Sequence, residues 1–138
     1  MKKLICALCL ALLLAAAARA GDPAGIRVET LAKTGSSWDG TQLPAYPAGR
    51  PEITILRITI PAGTSLPLHT HPVINAGVLL SGELTVITEK EETLVLKAGD
   101  PIVEVVDKRH YGKNTGAGPA EILVFYAGSP EMPISIKQ

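Results

Sequence analysis

Short β-type segments separated by turn residues set the strongest limit on how this chain can fold. Runs of four to nine residues rich in Ile, Val, Leu and Thr recur about every 8–12 residues, which is typical of an all-β sandwich or barrel. Between them lie most of the 13 Gly and 11 Pro, and no amphipathic helical window of useful length is present. The predicted strands are Glu52–Ile60, 77–80, Glu83–Thr88, Thr93–Lys97, 102–106 and 121–127.

The first twenty residues have the pattern of a secretory signal peptide. A short basic start precedes an apolar run over residues 4–18, and Ala18 and Ala20 supply the small residues that a signal peptidase reads. The run is shorter than the ~20 residues that span a bilayer, so a retained membrane anchor is the less favoured alternative. We therefore predict cleavage before Gly21 and a periplasmic or secreted mature protein.

Loss of residues 1–20 changes the charge and the cysteine content of the mature chain. The 13 basic residues fall by three to 10 against 13 acidic ones, which gives a net charge of −3 and no basic footprint for nucleic acid or an anionic membrane. Both cysteines are also removed, so the mature protein has no disulfide and no thiolate nucleophile. An exported domain without disulfides needs a well-packed core, which favours a closed barrel.

The chain is long enough for one domain. We predict an N-terminal arm over residues 21–51 with an edge strand at 26–33, a barrel over 52–128, and a tail over 129–138. Trp38 is interpreted as a hydrophobic plug that closes one barrel end, rather than as an aromatic ring against which a substrate stacks. The tail is expected to add a last edge strand through Ile134 and Ile136.

All three histidines of the chain lie in two short blocks. His69 and His71 are two residues apart, which places both side chains on one face of an extended segment. His110, supplied by a neighbouring strand, would complete a set of three imidazole ligands at the ~2.0–2.1 Å that a metal such as zinc requires. Three protein ligands with open positions are typical of a working site rather than a structural one. The alternative is that the histidines are surface or core side chains that bind no metal.

The two blocks resemble the two sequence motifs of the cupin superfamily. The first motif is Gly, five residues, His-any-His, three residues, Glu, six residues, Gly; the second is Gly, five residues, Pro, one residue, Gly, two residues, His, three residues, Asn. The spacing is met by Gly63, His69, His71, Asn75, Gly82 and by Gly99, Val105, Asp107, His110, Asn114. The resemblance implies a single-domain cupin jelly-roll barrel, a double-stranded β-helix, and one divalent metal ion. It also implies an antiparallel homodimer that assembles through edge strands.

Asn75 stands where the motif has glutamate, and this departure bears on the metal. An asparagine offers only a neutral oxygen, so the ion would keep its full charge. Asn75 would either coordinate weakly or hydrogen-bond a metal-bound water. The ion could be iron, copper, zinc, manganese or nickel; loading outside the cytoplasm favours copper or zinc, whereas the likeness to three-histidine cupin dioxygenases favours iron.

Glu104 and Tyr111 are the candidate catalytic residues. Glu104 lies within an apolar segment, and if it points inward it could be a fourth ligand or a general base with a raised pKa. If it points outward it is a solvated edge charge. Tyr111 follows the third histidine and is expected either to line the mouth of the site or to pack.

Three classes of function remain open on this sequence. The first is a metal-dependent enzyme, dioxygenase-like or another oxidoreductase, that acts on a small oxygen-rich molecule. The second is a cupin that captures a small ligand or the metal without chemistry, and the third is a barrel in which the metal only adds stability. Fold alone does not decide among them.

Overall fold

The computed structural model describes residues 25–138, so the predicted signal peptide lies outside the described residues. Their regular structure is all β, as predicted, and forms two antiparallel sheets that share one core. The strands are β1 Glu52–Ile60, β2 His69–Thr70, β3 Ile74–Ser81, β4 Glu83–Thr88, β5 Thr93–Lys97, β6 Pro101–Val103, β7 His110–Lys113, β8 Ala120–Gly128 and β9 Ile136–Lys137. The described part of the chain contains no helix that could span a lipid bilayer.

The first sheet has the order β1-β8-β3-β6, and the second has the order β5-β4-β7-β2-β9. Neighbours that are distant in sequence, such as β1 and β8, pair over their full nine residues. Because such pairs tie the two ends of the barrel segment together, the order of strands closes one core between the sheets. Both sheets contribute buried side chains to the core, among them Ile60, Leu79, Leu84, Val86, Leu96, Ile122 and Val124.

Residue alternation in β1 settles which of its faces is inside. The apolar residues of this strand fall on both parities, so the sequence alone could not decide. In the structure Leu56, Ile58 and Ile60 pack toward the core, whereas Ile53 and Ile55 are exposed. On the paired strand β8, the inward set is Ile122, Val124 and Tyr126.

The predicted edge strand over residues 26–33 is wrong. The segment runs without ladder pairing beside the outer face of β3 and β6. The neighbouring edge strand, β6, is only three residues long and begins with Pro101, which has no N–H to donate. The carbonyl of Val103 is already occupied, because it accepts the backbone N–H of Trp38 at 2.9 Å. This edge therefore offers few free backbone groups with which residues 26–33 could pair.

The predicted C-terminal edge strand is present, but it is short. β9 pairs with β2, and the N–H of Gln138 donates to the carbonyl of Leu68 at 3.0 Å. The tail is thus part of the second sheet. Trp38 packs against the core and does not line the central cavity, so a substrate bound there would not stack on it; its role as a plug for one barrel end stays a prediction.

Candidate metal centre

β2 and β7 bring the three histidines together. His69 lies opposite His110 in the register of these strands, and His71 follows directly after β2. The ring centroids are 4.5 Å apart for His69 and His110, 4.8 Å for His69 and His71, and 5.0 Å for His71 and His110. One nitrogen from each ring lies within 4.8 Å of the other two. This spacing lets one ion contact all three rings.

Backbone carbonyls orient each imidazole and determine its tautomer. Every Nδ1 contacts a carbonyl oxygen: His69 contacts Pro67 at 2.8 Å, His71 contacts Ile134 at 2.7 Å, and His110 contacts Lys108 at 2.9 Å. Because a carbonyl oxygen can only accept, each Nδ1 carries the proton and each Nε2 keeps its lone pair. Metal-binding histidines are commonly held in this way by a partner of the second nitrogen.

Burial keeps two of the rings uncharged. It lowers the pKa of His71 to about 4, although the hydrogen bond to Ile134 works in the opposite direction. Burial likewise lowers the pKa of His110 to about 4. At neutral pH both rings are therefore neutral and able to donate a lone pair to a cation.

Glu104 points inward, toward the histidines. Its backbone N–H donates to the carbonyl of Asn75 at 3.1 Å, and its carboxylate Oε2 lies 3.5 Å from His110 Nε2. This separation is too long for a good hydrogen bond, and both atoms are buried without any partner among the described residues. Burial raises the pKa of Glu104 to about 7. Of the two orientations that the sequence allowed, the structure has the inward one.

Asn75 is buried on β3, opposite Tyr126 of β8. Its Nδ2 makes only a long 3.4 Å hydrogen bond to the carbonyl of Val73, and its Oδ1 has no partner within residues 25–138. Asn75 is not among the residues that line the central cavity. Its role as a ligand or as a partner of bound water stays a prediction.

Tyr111 lies on the opposite face of the second sheet from His110. Consecutive residues of a strand face opposite sides, so His110 and Gly112 line the cavity while Tyr111 does not. Of the two positions that the sequence left open for Tyr111, the structure excludes the mouth of the cavity, and its predicted catalytic role has no geometric support. The same alternation rule, applied to the sequence, would have placed it correctly.

Tyr126 is the aromatic residue that does reach the site. Its ring contacts His71 edge-on with centroids 5.4 Å apart, and burial followed by the nearby Glu104 charge raises its pKa to about 12. Alternation through Ile122, Val124 and Tyr126 was a signal that could have identified it. Ser135 and Lys137 also line the cavity, through a strand pairing that nothing local in the sequence indicates.

A cupin-domain family model matches residues 56–126, slightly more than half of the 138 residues. The chain belongs to the cupin family. The match spans both motif blocks and agrees with the observed all-β barrel, so the resemblance inferred from the sequence is confirmed. In this cupin the motif glycines Gly63, Gly82 and Gly99 have positive φ angles, and Asp107 takes a φ of 55° where the motif has glycine.

Relatives of this cupin are diverse in activity. A germin-like protein, 8-14, from Oryza sativa subsp. japonica is 33% identical over 82 residues, which is 55% of this chain and 38% of the relative. The DMSP lyase DddQ from Ruegeria pomeroyi DSS-3 has a TM-score of 0.55 at 24% identity over 62% of this chain and 43% of its own. An oxalate decarboxylase from Lactobacillus farciminis has a TM-score of 0.53 at 24% identity over 62% of this chain and 26% of its own.

The chain thus spans less than half the length of each of these three relatives. At these identities the two solved structures share the fold, and their different activities leave the reaction of this cupin open.

A polar clamp holds the loop that carries Glu104 and precedes His110. Lys108 donates to Asp39 and, at 2.6 Å, to the hydroxyl of Thr41, while its carbonyl accepts the proton of His110 Nδ1. The side chain of Asp39 is almost fully buried, with 1% exposed. The arm around Trp38 therefore braces the segment that positions the third histidine.

The donor set of this cupin fits a divalent metal ion. Three imidazole nitrogens and one nearby carboxyl group are ligands that first-row divalent ions accept. His110 Nε2 and Glu104 Oε2 face each other at 3.5 Å, and neither has a hydrogen-bond partner among the described residues. A cation bound there would satisfy both.

Proposed function

We propose that this cupin is a metal-dependent enzyme, dioxygenase-like in reaction class, which acts on a small molecule bound through oxygen at the three-histidine site. The observation that carries the proposal is the pair of buried, unpartnered acceptors, His110 Nε2 and Glu104 Oε2, beside a cavity of about 240 Å³. Buried polar atoms are rarely left unpaired, and such exceptions are concentrated at functional sites. Both residues line this cavity.

Each residue has a stated role in this proposal. His69, His71 and His110 would hold the ion, and Glu104 would either complete the ligand set or accept a proton from the bound substrate. A bound divalent ion supplies a Lewis acid and, if it is iron or copper, redox chemistry. Tyr126 closes the site against His71.

Metal analysis of the purified mature protein tests the proposal directly. We expect about one divalent ion per chain, and loss of that ion in a His69→Ala, His71→Ala double variant. Val95→Ala, on an exposed position of β5, is the matched control that should retain it. A folded wild-type protein that binds no ion after incubation with iron, copper, zinc, manganese or nickel would refute the proposal.

Substitution of Glu104 by glutamine distinguishes its two roles. If Glu104 is a ligand, Glu104→Gln should weaken metal binding by about 10–100-fold, the loss typical of disturbed metal sites. If it is the base, metal binding should persist while turnover falls by about 10²–10⁴-fold. Equilibrium dialysis measures metal binding, and an oxygen-uptake assay measures turnover. If Glu104→Gln changes neither, both roles of Glu104 are excluded.

A binding module without chemistry is the second candidate function. The cavity lining supports this alternative, because among the described residues that line it Glu104 is the one carboxylate available for acid–base chemistry. Tight metal and ligand binding with no turnover of any bound molecule would favour this alternative over the enzyme.

We further propose that the protein is exported and loads its metal outside the cytoplasm. The supporting observation is the basic start, apolar run and small cleavage residues at the N-terminus. N-terminal sequencing of protein recovered from the periplasm or medium should begin at Gly21. Recovery of an uncleaved chain from the cytoplasm would contradict export.

A further inference from the structure

The central cavity of this cupin is built in layers, and the register of its strands gives their order. Tyr126 on β8 lies in the layer of the histidines, since its ring contacts His71. Val124 lies two residues before Tyr126 on β8 and is paired with Leu56. Ile122 lies two residues before Val124 and is paired with Ile58. The cavity therefore extends from a polar end at the histidines through two successive layers of the first sheet.

The second sheet repeats the same order. His110 pairs with Thr88, and Gly112 pairs with Val86. Leu84 lies two residues before Val86 on β4. Val86 and Leu84 line the cavity and are almost fully buried. Both walls beyond the histidines are thus aliphatic.

Among the described residues, the side chains that line these aliphatic layers offer no hydrogen bond to a ligand. Their lining residues are Leu56, Ile58, Leu84, Val86, Ile122 and Val124. A ligand hydroxyl that enters them loses its bonds to water and gains none, which costs about tenfold in affinity per group. A sugar or another oxygen-rich molecule would pay this cost several times.

The polar groups of the cavity are concentrated at its other end. The histidines, Glu104, Ser135 and Lys137 line this part, and Lys137 lies opposite His69 in the pairing of β9 with β2. Ser135 and Lys137 are exposed, so they mark the mouth. Lys137 is the cationic side chain in the described cavity lining, and it would attract an anionic group to the entrance.

We infer that the cavity takes a small, largely apolar molecule with a single anionic oxygen head group, the head at the histidines and the apolar body in the aliphatic layers. The inference rests on the proposed function, because the head group is to bind the metal held there. It replaces the expectation of an oxygen-rich substrate with a narrower chemical class.

Hexanoate and 6-hydroxyhexanoate form a matched pair of probes. They share the carboxylate and the six-carbon chain, and they differ by one hydroxyl at the far end. Isothermal titration calorimetry on the zinc-loaded full-length mature protein should give hexanoate about tenfold tighter binding than 6-hydroxyhexanoate. Hexan-1-ol, which lacks the anionic head, should bind more weakly than hexanoate, and hexanoate should lose affinity when the zinc is removed.

Two variants test the walls and the mouth. Val86→Thr places a hydroxyl in the aliphatic layer without a change of shape, and it should weaken hexanoate and reduce its preference over 6-hydroxyhexanoate. Val95→Thr, on an exposed position of β5, is the matched control and should change neither value. Lys137→Gln should weaken hexanoate several-fold and leave hexan-1-ol unchanged.

The possible failures are distinguishable. If the protein binds none of iron, copper, zinc, manganese and nickel, the proposed function itself is overturned, and this inference falls with it. If zinc binds but 6-hydroxyhexanoate equals or exceeds hexanoate, or hexanoate binds equally without zinc, only the inference about the ligand class is overturned. Absence of any hexanoate binding to the zinc-loaded protein overturns it as well.

Discussion

Asp107 illustrates how a single departure from the family motif is accommodated. It has a φ of 55°, and its N–H donates to the carbonyl of His71 at 2.9 Å. Aspartate is one of the few non-glycine residues that adopts this left-handed region readily. The motif glycine is therefore replaced without loss of the turn that ties the loop after β6 to a histidine of the site.

We predict that the side chain at position 107 matters through this backbone conformation. Asp107→Val should lower the free energy of unfolding by about 1–2 kcal/mol, because a β-branched residue is strained at positive φ. Asp107→Gly should stay within about 0.5 kcal/mol of wild type, since relief of strain is offset by a more flexible unfolded chain. Urea denaturation of the metal-free protein measures both. Equal losses for valine and glycine would contradict the backbone explanation.

The loop between β6 and β7 is the element on which the site depends. Glu104 is attached to β3 through Asn75, and Lys108 is attached to the N-terminal arm through Asp39. Burial raises the pKa of Asp39, but the hydrogen bonds from Lys108 and Thr41 more than offset it, so the pKa lies below its ordinary value. The clamp is therefore a carboxylate interaction that acid removes.

Asp39→Asn should show the pH dependence of this clamp. The folded-state pKa is depressed, so its stabilisation is present above the pKa of the unfolded chain, ~3.9, and is lost as pH falls through the lower folded value. Above about pH 5 the variant should be less stable than wild type by about 1 kcal/mol, a modest value because Lys108 is partly exposed.

Thermal unfolding of both proteins across the acid range measures this difference, which should shrink as the pH falls below about 4. The titration of His71 and His110 is common to both proteins and cancels in the comparison. Glu131→Gln, at an exposed position of the tail, is the control. A difference that is constant with pH would rule out the charged clamp.

At the scale of the whole molecule, the metal centre lies on two neighbouring strands of the second sheet, β7 and β2. His69 lies on β2, next to the C-terminal strand, and His110 lies on β7, next to β4. An ion bound by both therefore links strands that are distant in sequence. Ligands that bind only the folded state stabilise it by mass action.

Metal removal should lower the melting temperature. At a free zinc concentration 100 times the dissociation constant, the stabilisation is about 2.7 kcal/mol, which corresponds to a shift of roughly 10 °C for a domain of this size. Differential scanning calorimetry before and after chelation measures it. The His69→Ala, His71→Ala double variant should not respond to zinc, and an equal response would place the bound metal elsewhere.

The outer face of the first sheet bears on assembly. Ile53 and Ile55 of β1 are 61% and 55% exposed, and Phe125 of β8, opposite Ile55, is 44% exposed. Contiguous exposed apolar side chains are typical of interaction surfaces. We propose that a second copy of the chain covers this face in a homodimer.

Sedimentation analysis tests the homodimer. Wild-type protein is expected to sediment as a dimer, and Phe125→Glu as a monomer, because a charge cannot be buried unpaired in an apolar interface. Val95→Glu, on an exposed position of the second sheet, should leave the dimer intact. A monomeric wild-type protein at micromolar concentration would refute the homodimer.

The parts of this protein that its sequence determines are those governed by local rules. β1, β4 and β5 have the predicted bounds, because β-branched runs and turn residues act over a few positions. The common face of His69 and His71 follows equally from the two-residue period of an extended chain. The agreement of residue spacing with the two family motifs predicted the barrel and the third histidine ligand.

Only the tertiary structure decided which groups surround the histidines. The inward orientation of Glu104 depends on its backbone bond to Asn75, and the place of Lys137 depends on pairing between residues nearly seventy positions apart. Such pairings are selected by burial of the whole core, and no local pattern encodes them. For this reason the sequence could predict three metal ligands, whereas the character of the cavity beside them required the fold.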